Sequence, residues 1–273
     1  MRKKTSHDYS WRLKFQRAVS LQEELISCVD LYNKSLPTEI KIESWDGQFL
    51  HVSLHVRIQP DDMWSVILGD VVHNYRSALD SLVFAIIESV AHGKGVLLDE
   101  KIVKKIAFPM KFEKCDLSKL PEFAEHATET LINDLTEFQP FAYLNEFVGP
   151  NKQKIVTSGH PFAMLNELSN IDKHRKLNFI FLDLDNWAIL SDSSSALVSH
   201  RSLKTENSWQ DYLFEYEFSG GDIKRVPHFL PHFQVGVENS TGLRPAYSLT
   251  SLLEVFKSQV GYALNKIESN LEM

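Results

Sequence analysis

The chain has 273 residues, of which 43% are hydrophobic, and 29 lysine and arginine residues against 36 aspartate and glutamate residues give it a formal net charge of −7. A chain of this size and composition is predicted to fold as one large domain or as two intimate subdomains. The acidic balance argues against a protein that binds duplex DNA through its overall charge, but not against a local site for RNA. The sequence has two cysteines, Cys28 and Cys115, which are too few and too far apart to form a disulfide framework or a thiolate zinc site. We therefore expect the protein to be located in the cytoplasm, where thiols are kept reduced.

The N-terminal segment is basic, but no apolar run of the kind found in secretory signals follows it. No stretch approaches the roughly 18 apolar residues that a membrane span requires. We therefore expect no membrane partner.

The first 60 residues predict a helix and then a β-hairpin. Apolar residues recur every three or four positions over 9–34, which is typical of an amphipathic helix. Residues 50–58 then alternate between apolar and polar side chains, and Asp46-Gly47 supplies the turn from a preceding strand. His51 and His55 point to the polar side of this hairpin. No cysteine or carboxylate ligand is predicted beside them, so we interpret them as solvated residues and not as metal ligands.

The longest predicted helix runs from Asp61 to His92 and begins directly after Pro60. After Ser81 its side chains are apolar all round, so we expect this end to be buried. Before Ser81 one side is polar and consists of Asp70, His73, Asn74, Arg76, Ser77 and Asp80. This polar side is either a solvated face, in which an i,i+4 pair contributes only about 0.2–0.5 kcal/mol, or part of a site.

A second polar helix is predicted from Pro161 to about Asn178. Arg175 projects within its apolar arc, where an unpaired charge would be costly. We therefore predict that Arg175 pairs with an acid of the long helix, Asp80 or Asp70. The neighbouring positions divide into a stripe that borders the arc, Asn170 and His174, and a far, solvated side, Asp172 and Lys173.

The remaining segments complete the predicted fold. Residues 106–110 predict a short edge strand, because Pro109 cannot donate to a ladder, and Pro121 is predicted to open a helix over 122–138. Aromatic and β-branched runs predict strands over 179–240, and a final amphipathic helix is predicted over 248–271. The predicted class is α+β: a helical bundle with an antiparallel β-hairpin and a β-rich C-terminal half closed by a final helix. The helical core is predicted to comprise 9–178 plus 248–271, and the β-rich subdomain 179–240.

Common catalytic motifs are absent from the sequence. There is no GxxxxGK[ST] loop, no GxGxxG after a strand, no GxSxG elbow and no HExxH pair. We expect neither a cofactor nor a bound metal ion.

Two sequence signatures carry a resemblance. GDVVHNYRSALDSL, residues 69–82, and LSNIDKHRKL, residues 168–177, resemble a group of uncharacterised bacterial proteins with a GDxxHNxRSALDxL helix and a later IDKHR helix. More remotely, the helical core is similar to the HEPN superfamily of α-helical domains, many of which are metal-independent ribonucleases in toxin and phage-defence systems. Their hallmark is an Arg, a polar residue and, further along the same helix, a His. Asn170 and His174 match this spacing, while Ser169 stands where the family has Arg.

The HEPN resemblance implies attack of a ribose 2′-hydroxyl on the adjacent phosphate, commonly at a site formed across a homodimer. His174 would act as general acid or base, Arg175 or Arg76 would stabilise the transition state, and Asn170 would orient the phosphate. The substrate-binding residues would be His73, Asn74, Asp80 and Lys173.

Two alternatives remain open. In the first, the protein is a non-enzymatic ligand- or partner-binding module, and Asp80, Arg76, Arg175 and His174 form a buried structural network. In the second, the protein is a hydrolase that uses a divalent cation bound by Asp70, His73, Asp80 and His174.

Overall fold

The fold is described here from a computed structural model. The described residues are 10–35, 38–46, 48–144, 159–174, 179–183, 188–189, 196–203, 211–219, 229–230, 233–237 and 248–271. The chain divides into two compact units, the first made of Met1–Ile26, Met63–Ile180 and Gly236–Met273 and the second of Ser27–Asp62 and Phe181–Val235. The predicted helical bundle and the predicted antiparallel hairpin are both confirmed.

Helices build most of the first unit. They are α1 (Ser10–Lys34, which continues into the second unit), α2 (Met63–Gly93), α3 (Glu100–Val103), α4 (Glu129–Glu137), α5 (Pro140–Leu144), α6 (Pro161–His174) and α7 (Leu249–Glu268). The long helix α2 packs against both α6 and α7. Val83 and Ile87 are fully buried, as predicted for the end of α2 that is apolar all round. Within the described residues, every helix is too short or too polar to cross a lipid bilayer.

A polar chain that is buried at Tyr75 and Gln22 and ends at the exposed Glu254 links three of these helices. The Tyr75 hydroxyl of α2 donates to Gln22 Oε1 of α1 at 2.6 Å, and Gln22 Nε2 donates to Glu254 Oε1 of α7 at 2.8 Å. Burial raises the pKa of Tyr75 above its usual value, so the hydroxyl keeps the proton that it donates. Because buried polar groups are costly unless they are paired, this chain fixes how the three helices meet.

Two predicted helix boundaries differ from the structure. Residues 121–126 form turns, and α4 begins only after Thr128, whose hydroxyl accepts from the amide of Leu131 at 3.1 Å and caps the helix. The described part of the second polar helix, α6, ends at His174, and residues 175–178 lie outside the described residues. The final helix is confirmed, with Ser248 as its cap.

The second unit contains a four-stranded antiparallel sheet. Its strands are β1 (Thr38–Trp45), β2 (Phe49–Val56), β5 (Ala196–Leu203) and β6 (Asp211–Ser219), in the order β1-β2-β6-β5. The turn between β1 and β2 is stabilised by Asp46, whose carboxylate accepts from the amides of Gln48 and Phe49. The structure also describes β3 (Phe179–Asp183) paired with β8 (Phe233–Val237), and β4 (Ala188–Ile189) paired with β7 (Phe229–Leu230).

The hairpin belongs with the later strands and not with the helices. The predicted boundaries place residues 38–56 within the helical core of 9–178, whereas β2 pairs with β6 along its length, from Phe49 opposite Glu217 to His55 opposite Asp211. This correction has a simple cause. A two-stranded hairpin is marginal alone, and further strands stabilise it by pairing with its free edge.

Helix α6 begins at a buried histidine. His160 is only 6% exposed and precedes Pro161, and its Nδ1 accepts from the amide of Ala163 at 3.4 Å. A neutral imidazole can serve as this cap, whereas an imidazolium has no free lone pair. Burial lowers the pKa of His160 to about 4.

We expect this histidine to make stability depend on pH. The unfolded chain binds a proton at His160 with a pKa near 6.5, while the folded chain does so only near 4. The contribution of the neutral cap is therefore complete above pH 6.5 and is lost as the pH falls towards 4, by about 3 kcal/mol at most. Urea unfolding of the wild type and of His160→Asn, which keeps a capping side chain that does not titrate, should show a larger acid loss in the wild type. Equal losses would contradict the assignment.

Candidate functional site

The two polar segments singled out in the sequence meet where α2 crosses α6. A Cβ atom built on Gly69 of α2 would overlap a carboxylate oxygen of Asp172 and lie 2.7 Å from its Cγ. A side chain at position 69 would therefore displace the Asp172 carboxylate, and glycine leaves room for it, although glycine inside a helix costs about 1 kcal/mol relative to alanine. Asp172 is exposed, as predicted, but it does not lie far from the other helices, because its carboxylate contacts α2 at Gly69.

Four charged or titratable side chains gather at this contact, and we call them the crossing cluster: Asp70, His73, Asp172 and Lys173. Burial raises the pKa of Asp172, and repulsion from Asp70 raises it further, while His73 and Lys173 act in the opposite direction. Asp70, His73 and Lys173 are exposed, so the cluster is accessible from solvent. A carboxyl group with a raised pKa beside a histidine is suited to proton transfer.

Two further polar residues of α2 are held by hydrogen bonds within the helix. Asn74 Nδ2 donates to the carbonyl of Asp70 at 2.8 Å, and Ser77 Oγ lies 3.4 Å from His73 Nε2. Asn74, which was predicted to bind substrate, is half-buried, and its amide nitrogen is held by this bond to the backbone of Asp70. These contacts restrain the polar side of α2 at the point where α6 approaches.

One turn further along α2, Arg76 and Asp80 hold the backbone of Phe108, and we call this arrangement the Phe108 clamp. Arg76 Nη2 donates to the carbonyl of Phe108 at 2.6 Å, and the amide of Phe108 donates to Asp80 Oδ1 at 2.9 Å. Arg76 Nε and the Asp80 carboxylate, 3.3 Å apart, complete the triangle. The predicted edge strand over 106–110 is absent, because these two side chains satisfy the backbone groups that a strand partner would have taken.

The clamp changes the roles expected for its members. The carboxylate of Asp80 accepts from Arg76 and from the amide of Phe108. The predicted pairing of Asp80 with Arg175 stays a prediction, because Arg175 lies outside the described residues. Arg76, predicted as a catalytic cation, is half-buried and occupied by the clamp, although its Nη1 makes no hydrogen bond with any described residue. Arg76 and Asp80 therefore both have a structural role.

The predicted divalent-cation site does not form as proposed. Asp70 and Asp80 lie on one helix, about 15 Å apart along its axis, so one ion cannot bind both. Among the side chains that the structure describes, no three His, Cys, Asp or Glu residues converge closely enough to hold a metal ion. The side chain of His174 is outside the described residues.

The predicted site residues of α6 fall into separate places. Lys173 is exposed next to Asp172, whereas Asn170 is exposed on roughly the opposite side of the helix, because two residues correspond to about 200° of rotation. His174 is the last residue of α6. The structure thus places Lys173, Asp70 and His73 each near Asp172 but does not bring Asn170 to α2.

Asp172 is the member of this site that the sequence analysis missed. The available signal was Gly69, a glycine well inside a long helix, which indicates the close approach of another group. The sequence around Asp172 does not indicate that Asp172 is the group that approaches Gly69.

No family model, no curated protein and no solved structure matches this chain.

Proposed function

We propose that this protein is an HEPN-like α-helical protein that cleaves RNA without a metal ion, and that the crossing cluster is part of its active site. The observation that carries the proposal is the contact of Asp172 with Gly69, which places a carboxyl group of raised pKa beside His73. The setting that the resemblance implies, bacterial toxin or phage-defence activity in the cytoplasm, belongs to the same proposal. The proposal also includes a segment, residues 179–240, that is β-rich throughout.

The proposed reaction is attack of a ribose 2′-hydroxyl on the adjacent phosphate. One group must take the proton of the 2′-hydroxyl, and another must give a proton to the departing 5′-oxygen. We assign these transfers to His73, supported by Asp172, and to His174, the histidine of the HEPN-like motif. Lys173 and Arg175 would stabilise the negative charge that develops on the phosphate.

The homodimer is part of this proposal for a geometric reason. Asn170 lies on the side of α6 that faces away from α2, yet the motif assigns it to the substrate phosphate. A second copy of the chain would bring a further surface to that side. The crossing cluster and the Asn170 side of α6 would then both contribute to binding of one RNA.

A second candidate function is favoured by the Phe108 clamp. Arg76 and Asp80 are held by the backbone of Phe108, as in the alternative in which the charged residues of α2 have a structural role. In that case the protein is a non-enzymatic binding module, and the polar residues of α2 serve in packing and in contacts with a partner.

The proposal is tested by incubating the purified protein with total cellular RNA in the presence of EDTA. We expect cleavage that resists EDTA, leaves 2′,3′-cyclic phosphate ends and spares an oligonucleotide with 2′-deoxyribose. Cleavage should fall about 100-fold or more in His73→Ala, His174→Ala and Asp172→Asn, because a general acid or base typically contributes 10²–10⁴-fold. Gly69→Ala, which displaces the Asp172 carboxylate, should also reduce it.

His92→Ala is the matched control, because His92 is an exposed histidine at the far end of the same helix. It should cleave RNA at the wild-type rate. Cleavage that EDTA abolishes, or equal losses in His73→Ala and His92→Ala, would contradict the proposal. A folded wild type that cleaves no RNA would favour the binding module.

A further inference from the structure

The polar side of the four-stranded sheet carries a row of three side chains, Ser44, His51 and Glu215. Ser44 lies opposite His51 in the pairing of β1 with β2, and His51 lies opposite Glu215 in the pairing of β2 with β6. The neighbours of His51 along β2, Leu50 and Val52, are buried on the other side of the sheet. The row therefore crosses three strands on one face.

Hydrogen bonds connect the row from end to end. Ser44 Oγ lies 2.9 Å from His51 Nδ1, and His51 Nε2 lies 3.0 Å from Glu215 Oε2. An ionised carboxylate can only accept, so His51 Nε2 carries the proton and donates it to Glu215. In a neutral imidazole Nδ1 then has a free lone pair, and the Ser44 hydroxyl donates to it. The hydrogen bonds therefore run in the direction found in a relay of serine, histidine and acid.

The exposure of the side chains increases along the row from Glu215 to Ser44, as such a relay requires. The side chain of Glu215 is 14% exposed, that of His51 is 28% exposed, and Ser44 is exposed. The half-buried Glu215 holds the imidazole in place, while the exposed Ser44 stays within reach of a substrate. The sequence interpretation of His51 as a merely solvated residue is wrong, because the pairing of β2 with β6 brings Glu215 to it across the sheet.

We propose that Ser44 is the nucleophile of an acyl-transfer site that hydrolyses small carboxylic esters, independently of any RNA cleavage in the first unit. Ser44 Oγ bonds to the carbonyl carbon of the ester while its proton passes to His51 Nδ1. The ester oxygen then leaves as an alcohol and takes that proton. Water attacks the acyl carbon and gives a proton to His51, and Ser44 Oγ departs and recovers it. Glu215 orients His51 throughout and stays ionised.

We expect backbone N–H groups of β1 near Ser44 to stabilise the developing oxyanion. β1 is one of the two edge strands of the described four-stranded sheet, and its register with β2 shifts between Ile42 and Ser44. Edge strands and bulges present backbone N–H groups without a ladder partner. Such groups stabilise negative charge on a carbonyl oxygen when they lie beside the nucleophile.

The same sheet contains a matched pair that should be inert. Ser53 Oγ donates to Glu43 Oε1 at 2.5 Å and lies 2.9 Å from His55 Nε2. A hydroxyl has one hydrogen, so here His55 donates to Ser53 and cannot remove its proton. Ser53 is also only 7% exposed. The two pairs share residue types but differ in the direction of the hydrogen bond.

The test is covalent labelling with an alkyl fluorophosphonate, followed by intact mass and peptide mapping, alongside hydrolysis of p-nitrophenyl acetate. We expect one phosphonyl adduct on Ser44 of the wild type, with release of fluoride. The adduct should be absent from Ser44→Ala and form at least tenfold more slowly in His51→Gln and Glu215→Gln. It should form at the wild-type rate in Ser53→Ala and His55→Gln. Circular dichroism checks that each variant is folded.

Ester hydrolysis should follow the same order, with an acetyl group trapped on Ser44 at low pH. The proposal is overturned if the wild type takes no adduct, if Ser44→Ala is labelled as fast as the wild type, or if the adduct maps to Ser53. It is also overturned if a folded His51→Gln reacts at the wild-type rate, since Ser44 would then not depend on its base.

Discussion

Replacement of Phe108 by alanine is expected to lower the free energy of unfolding by about 3–5 kcal/mol, the range measured when a buried phenylalanine is truncated. Phe108 is fully buried, and its ring lies 5.4 Å from the ring of Phe162 and 6.5 Å from that of Phe138. The surrounding helices cannot close such a cavity completely. Urea unfolding followed by circular dichroism measures the change.

Two variants bracket this expectation. Phe108→Leu keeps most of the buried volume and should cost less than half as much as the alanine variant. Tyr262→Ala removes an aromatic ring at the rim of the same group, 5.7 Å from Phe138, but Tyr262 is 53% exposed and should cost about 1 kcal/mol or less. If Phe108→Ala and Tyr262→Ala cost the same, Phe108 is not the centre of this packing.

Phe108 also explains how the first unit holds its candidate site. Its backbone is fixed to α2 by the Phe108 clamp, while its ring packs against Phe162 in the first turn of α6. One residue therefore connects the middle of α2 to the first turn of α6. The contact of Gly69 with Asp172 connects the two helices again, near the start of α2 and the end of α6, and the crossing cluster lies at this second contact.

The sequence predicts the elements of this fold well where the pattern is local. α1, α2 and α7 each repeat apolar residues at three and four positions over several turns, and no tertiary partner is needed to see this. The hairpin follows from strict alternation and from Asp46-Gly47. These elements occur within one or two residues of the predicted bounds or overlap them closely.

What the sequence could not predict depends on contacts between distant residues. Residues 106–110 have the composition of a strand, and only Arg76 and Asp80, far back in the chain, give their backbone other partners. The row of Ser44, His51 and Glu215 likewise exists only because β6 adds to the hairpin. Local periodicity reports which side of an element is buried, but not which group lies against it.

The Phe108 clamp leads to the last prediction, which concerns Arg76. Arg76→Ala is expected to lower the free energy of unfolding by about 2–3 kcal/mol, because Asp80 and the carbonyl of Phe108 lose a charged donor. Arg76 and Asp80 are 17% and 34% exposed, so solvent keeps the loss below that of a fully buried pair. In the double-mutant cycle with Asp80→Ala, the two losses should not add, since each variant already breaks the same triangle.

Arg12→Ala is the matched control for this prediction. Arg12 forms a two-pronged ion pair with Glu268, at 2.9 and 2.7 Å, but it is 57% exposed, and surface pairs contribute about 0–1 kcal/mol. A comparable loss in both variants would mean that the clamp acts as an ordinary surface pair.

RNA cleavage per folded molecule distinguishes a structural from a catalytic role of Arg76. A structural arginine changes stability and leaves that rate unaltered, whereas a catalytic one lowers the rate at temperatures where the variant remains fully folded.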